Sequence, residues 1–159
     1  MQIRLLLKLL EDLEGGLASL YQRVGDSFAL DPEAQRVFHA LAREEKGHVA
    51  LVAYLQKVAR RNPDQFADVN VDVTEIQRLT TEAARLLNSG KRLGVPEAVA
   101  VALSFEKSAA EAHLRSTVSQ SNQDIVKLMT ALSAGDKNHL TALVAFAKRR
   151  GVPTEPDAR

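Results

Sequence analysis

Apolar residues recur at steps of three and four along four long stretches of the chain. Leu7, Leu10, Leu17, Tyr21, Val24 and Phe28 mark the first, over about 2–28. Phe38, Leu41, Val52 and Leu55 mark the second, over about 32–61; Val99, Ala102 and Ala109 the third, over about 96–118; Met129, Leu132, Leu143 and Phe146 the fourth, ending near 150. Each spacing puts an apolar stripe on one face of a helix, so the pattern predicts four long amphipathic helices. The punctuation agrees. Asp31-Pro32 reads as an N-cap followed by a first-turn proline, Ser121-Asn122 as a second cap, Asn62-Pro63 as a stop, and Gly151 as a C-terminal glycine. Residues 63–72 connect the second long helix to a shorter one, whose Asp72-Val-Thr-Glu75 resembles a capping box and which ends near Asn88 at Ser89-Gly90. Gly15-Gly16, in the middle of the first helix, marks a local bend or a place where another helix passes close.

The stripes are interrupted near their middles, and the interruptions are polar. In chain order they are Glu14, Glu45-x-x-His48, Glu106 and Asp136-x-x-His139. The spacing of three stacks carboxylate and imidazole on one helix face. A charge on a core face costs several kcal/mol, roughly, unless it is paired or bound to a metal. The second half of the chain repeats the first: Glu14 recurs as Glu106 and Tyr21 as His113 at an offset of 92, and Asp31, Glu45 and His48 recur as Asn122, Asp136 and His139 at 91. Side-chain identity is low elsewhere, so the repeat is one of structure.

One such residue alone reads as a hydrogen-bonded core histidine or a glutamate at a wet seam. Four carboxylates and two imidazoles in one layer read otherwise. Without a cation the four carboxylates could not all ionise; two divalent cations carry the charge that cancels them, and oxygen and imidazole donors suit iron, manganese or zinc. The predicted metal ligands are therefore Glu14, Glu45, His48, Glu106, Asp136 and His139. Glu11, His39, Glu44 and Glu111 fall off the stripes and are expected to be solvated, Glu111 with a lesser reading as a flexible extra ligand. Arg60-Arg61 and Lys148-Arg149-Arg150 sit in last turns, where the helix dipole favours positive charge.

Composition narrows the class. The 159 residues are 45% hydrophobic and 26% charged, which suits one folded domain over 1–151 with a flexible tail over 152–159. A net charge of +1 and 4% aromatic residues give no reason to expect nucleic acid or an anionic membrane as partner. The absence of cysteine excludes disulfides, Cys-ligated zinc, iron–sulfur clusters and a thiol nucleophile. No apolar run is long enough to span a bilayer, and the N-terminal apolar run is broken by Lys8 and followed by Glu11, Asp12 and Glu14, so a cytoplasmic location is expected.

Four long helices, one crossover carrying a short fifth helix, and two internal carboxylate–x–x–His pairs resemble the ferritin-like four-helix bundle, an all-α fold. The Glu14-x6-Tyr21 spacing is similar to the rubrerythrin-type branch of that superfamily, and the resemblance spans residues 2–150. It implies a di-iron centre with Glu14 and Glu106 as terminal ligands, Glu45 and Asp136 as bridges, and one nitrogen each from His48 and His139. It further implies reaction with hydrogen peroxide or O2, a separate electron donor and a homodimer. The alternative is a non-catalytic metal-binding or iron-storage bundle. Tyr21 and His113 follow the ligand glutamates by two turns. Each is expected either to hydrogen-bond a ligand carboxylate or donate a proton to bound oxygen species, or simply to pack with its polar tip satisfied; an extra ligand role is a lesser reading for His113. The chain departs from rubrerythrins in three ways. Ala109 stands where they carry a further carboxylate, Asp136 is one methylene shorter than Glu, and no rubredoxin domain with four cysteines is present.

Overall fold

The computed structural model describes residues 3–66, 71–117 and 121–154. Five α-helices carry the fold: α1 (Ile3–Ser27), α2 (Pro32–Arg61), α3 (Thr74–Asn88), α4 (Val95–Arg115) and α5 (Gln123–Arg150). No strand occurs among the described residues. A 3-10 turn, Pro63–Phe66, follows α2 and buries Phe66. Among the described residues no helix is long and apolar enough to cross a membrane.

The caps explain the helix ends. The Asp31 carboxylate accepts from Ala34 N at 3.1 Å, and Pro32 begins α2. Asn122 Oδ1 accepts from Asp124 N and Ile125 N at 3.0 and 3.2 Å at the start of α5. Gly151 closes α5 in the left-handed region at φ 63°, which glycine adopts at little cost. The box expected at Asp72 is different. Asp72 Oδ1 accepts from Thr74 N at 3.0 Å, but Glu75 turns outward to Arg78 at 2.6 Å and does not reach back. A reciprocal bond appears instead one helix later, where Gly94 N donates to Glu97 Oε2 at 3.3 Å and α4 starts at Val95, one residue before Pro96. α4 ends at Arg115, earlier than the expected 118. Gln2, Val118 and residues 155–159 of the expected tail lie outside the described residues.

α1 packs along α2, and α4 along α5, as two helical hairpins. The C-terminal turn of α5 lies at the start of α2, with Arg150 paired to Asp31 at 2.6 Å and Arg149 to Glu33 at 3.0 Å. α2 and α5 therefore run antiparallel, and the four long helices point up, down, down, up. Such an order needs a crossover between the second and third, and α3 supplies it by lying across α1 and α4. Gly16 faces α3: a Cβ there would stand 3.8 Å from the Ala83 Cβ, an ordinary van der Waals contact, and one on Gly15 would meet nothing within 4 Å. Every stripe residue named above is buried, and the four interruptions meet at one level of the bundle.

Candidate metal centre

The six predicted ligands come together. Glu14, Glu45, His48 and Asp136 form one group, and Glu45, Glu106, Asp136 and His139 a second; within each, one donor atom per residue lies within 4.8 Å of all the others. Glu45 and Asp136 belong to both. All four carboxylates are fully buried, His139 is 1% exposed and His48 8%. The helix periodicity dictates this: each ligand occupies a core position of its stripe, and all four helices present that position at one depth.

Both histidines turn Nδ1 inward. His48 Nδ1 lies 3.1 Å from Glu14 Oε2, 2.9 Å from Glu45 Oε2 and 4.0 Å from Asp136 Oδ1. His139 Nδ1 lies 3.0 Å from Glu106 Oε2 and 3.1 Å from Glu45 Oε1. The two rings stack across the α2–α5 seam with centroids 5.3 Å apart. Tyr21 and His113 close the layer from the opposite side, each reaching to the other hairpin. Tyr21 Oη donates to Glu106 Oε1 at 2.5 Å, and His113 sets Nδ1 2.8 Å from Asp136 Oδ2 and Nε2 3.3 Å from Glu14 Oε1. His113 is therefore a full member of a buried network, and of the readings open for it, contact with two of the predicted ligand carboxylates is the one the geometry supports.

Five buried polar atoms here have charged neighbours at 3.0–4.0 Å but none aligned for a hydrogen bond: Glu14 Oε1, Glu45 Oε1, Asp136 Oδ1, His113 Nε2 and His139 Nε2. Buried carboxylate oxygens are ordinarily satisfied. Three that are not, beside two inward imidazole nitrogens, fit a cation held between them.

The buried acids and imidazoles shift one another's protonation. Burial opposes charge on His48, but hydrogen bonds to Glu14 and Glu45 outweigh it and push its pKa up to about 10. The same contest ends at about 10 for His113, through Asp136 and Glu14, and at about 11 for His139, through Glu106 and Glu45. Burial raises Glu45 to about 8, against the pull of its histidine partners and with the charges of Glu14 and Glu106 reinforcing it. Burial also raises Glu106 and Asp136. Glu14 goes the other way: the nearby imidazoles of His113 and His48 overcome its burial and hold it below the usual carboxylate range. Tyr21 is pushed well above 10 by burial and the Glu106 charge, so its hydroxyl keeps its proton.

The residues expected to be solvated divide. His39 pairs with Asp26 at 2.8 Å, Glu111 with Arg115 at 3.6 Å, and Glu11 with Gln56 and Lys8 at 3.3 and 3.6 Å, all away from the layer. Glu44 is the exception. Its side chain is 57% exposed, yet Oε2 reaches 3.0 Å from Nε2 of the buried His139. Its position off the stripe hid this, because the contact runs to a different helix.

A family described as an uncharacterized protein domain (DUF2202) matches residues 17–158, and the chain belongs to it. That family lies in the ferritin-like superfamily. The match takes in every site residue but Glu14. No curated protein and no solved structure matches the chain.

Proposed function

We propose that this chain, as a DUF2202 member of the ferritin-like superfamily, holds two metal ions in the buried layer and is a rubrerythrin-type di-iron protein that reacts with hydrogen peroxide or O2. The observation that carries the reading is the pair of four-residue groups sharing Glu45 and Asp136, with orphaned carboxylate oxygens and both Nδ1 atoms turned inward. Glu14 and Glu106 would each serve one metal, Glu45 and Asp136 both, and His48 and His139 one nitrogen each. When bound, two ferrous ions supply the two electrons that reduce the oxidant; manganese would fit the same donors, and zinc would fit them without redox chemistry.

The chain's own residues set the conditions. They exclude bulk water from all four carboxylates, which suits a small oxidant better than an organic substrate. Tyr21 keeps a proton at Oη and directs it at Glu106, which orients that carboxylate and holds a proton donor within the layer. Ala109, fully buried where rubrerythrins carry a carboxylate, leaves the α4 side with one donor fewer; this favours ferroxidase-like turnover over peroxidase turnover. With no cysteine in the chain, electrons for repeated turnover would come from a separate protein or from iron itself.

The test is metal content of protein purified without chelators, followed by anaerobic Fe(II) addition and stopped-flow mixing with peroxide and with O2. About two iron atoms per chain and a fast oxidation phase support the reading. Uptake of two metals with no fast phase for either oxidant leaves a non-catalytic metal-binding bundle, and failure to take up metal removes the metal centre altogether.

A further inference from the structure

The repeat relates the two ligand groups, but the outer faces of their histidines differ. Outside His139 stands Glu44, with Oε2 3.0 Å from Nε2. The position equivalent to Glu44 in the second hairpin, at the offset of 91, is Gly135. It lies against the outer face of His48: a Cβ on Gly135 would stand 2.2 Å from His48 Nε2 and 2.7 Å from Cε1. One imidazole is thus backed by a carboxylate and the other by bare backbone, at a spacing that admits no side chain. Exposure follows the same division, 1% for His139 and 8% for His48.

We propose that Glu44 is a positioning residue that makes the Glu106–His139 half of the centre the tighter metal site, and that the Glu14–His48 half, bordered by Gly135, is the weaker, exchanging one. The proposal rests on the dinuclear reading above. A carboxylate on the outer nitrogen of a metal-ligating histidine keeps the proton on that nitrogen, leaves the inner lone pair free for the metal and raises its basicity. Glu44 Oε2 stands 3.0 Å from Nε2 without hydrogen-bond alignment, and its side chain is 57% exposed. His48 has no such acceptor at position 135, and its more open edge is where a metal or a small oxidant has the shorter route to the layer.

Titration of chelator-treated protein with Co(II), followed by visible absorption and calorimetry, tests this without reference to activity. The expected result is two steps at least tenfold apart in affinity. Glu44→Ala is expected to weaken the tighter step by about 10–100-fold and to leave the weaker step within about twofold. Glu44→Gln, which keeps an acceptor but not the charge, is expected to recover part of the loss. Because Glu44 is exposed, far-ultraviolet dichroism of both variants should match the parent. Two steps of equal affinity, or a Glu44→Ala variant that weakens both equally or neither, would overturn the proposal and leave the dinuclear reading in place. Fewer than two equivalents bound by the parent protein would overturn both.

Discussion

The α1–α2 and α4–α5 hairpins carry the same plan and solve it differently. Each gives a carboxylate on one helix, a carboxylate and a histidine one turn apart on the next, and a polar residue two turns beyond the first. In one hairpin that last residue is Tyr21, a single donor to Glu106; in the other it is His113, which touches Asp136 and Glu14 together. One hairpin contributes Glu45 and the other the shorter Asp136; one sends Glu44 outward to a histidine and the other presents Gly135. The layer is therefore symmetric in its inner donors and asymmetric in what supports them, so equivalent substitutions in the two halves should have unequal effects.

The largest expected effect abolishes the support of both halves at once. In metal-free protein the raised histidines bind protons that the unfolded chain releases above about 6.5, so their contribution is full below that pH and is lost as pH rises toward 10–11. Glu45 acts in the same direction between its ordinary value near 4.5 and about 8. Only the depressed Glu14 opposes, and only in acid, where its contribution is lost as pH falls below the ordinary range. Urea midpoints of metal-free protein should fall steadily from pH 6 to 10, whereas metal affinity should rise over that interval because metal displaces protons from the imidazoles. Flat midpoints would show that the protons do not hold the layer.

Next in size is His113→Ala. It strands two buried carboxylates and should cost metal-free protein about 3–5 kcal/mol in urea denaturation. Gly135→Ala follows, at about 1–3 kcal/mol, because the added methyl displaces the His48 ring; it should weaken the weaker Co(II) step and spare the tighter one. Tyr21→Phe, at the position equivalent to His113, should be the mildest, at about 1 kcal/mol, with a slower oxidation phase in stopped flow. A Tyr21 variant as costly as the His113 variant would erase the contrast between the halves.

The stripes and their interruptions were legible in the sequence because both follow helical periodicity. Positions such as Leu10, Glu14 and Leu17 declare their face without knowledge of any neighbour. The caps at Asp31 and Asn122 were legible for the same local reason. Glu44 and Gly135 were not, since their meaning lies in the distance between helices, which no single helix encodes. The missing back-bond at Asp72 belongs to the same class: Glu75 pairs with Arg78, and the glutamate-to-cap bond forms at Gly94 with Glu97 instead. His113 was visible only as the counterpart of Tyr21, and its double contact depends on where α4 places it against α1 and α5.

The imidazoles that balance the carboxylates bear on the order of events in the life of the chain. If the urea midpoints fall with pH as expected, protons hold the layer and metal is not required at the moment of folding. Synthesis and loading can be separated in time, and a bundle stripped by a chelator near neutral pH should stay folded and refill when metal returns. Under the proposed function, loading would be an exchange of protons for metal, and the acidity of the surroundings would set which of the two occupies the bundle.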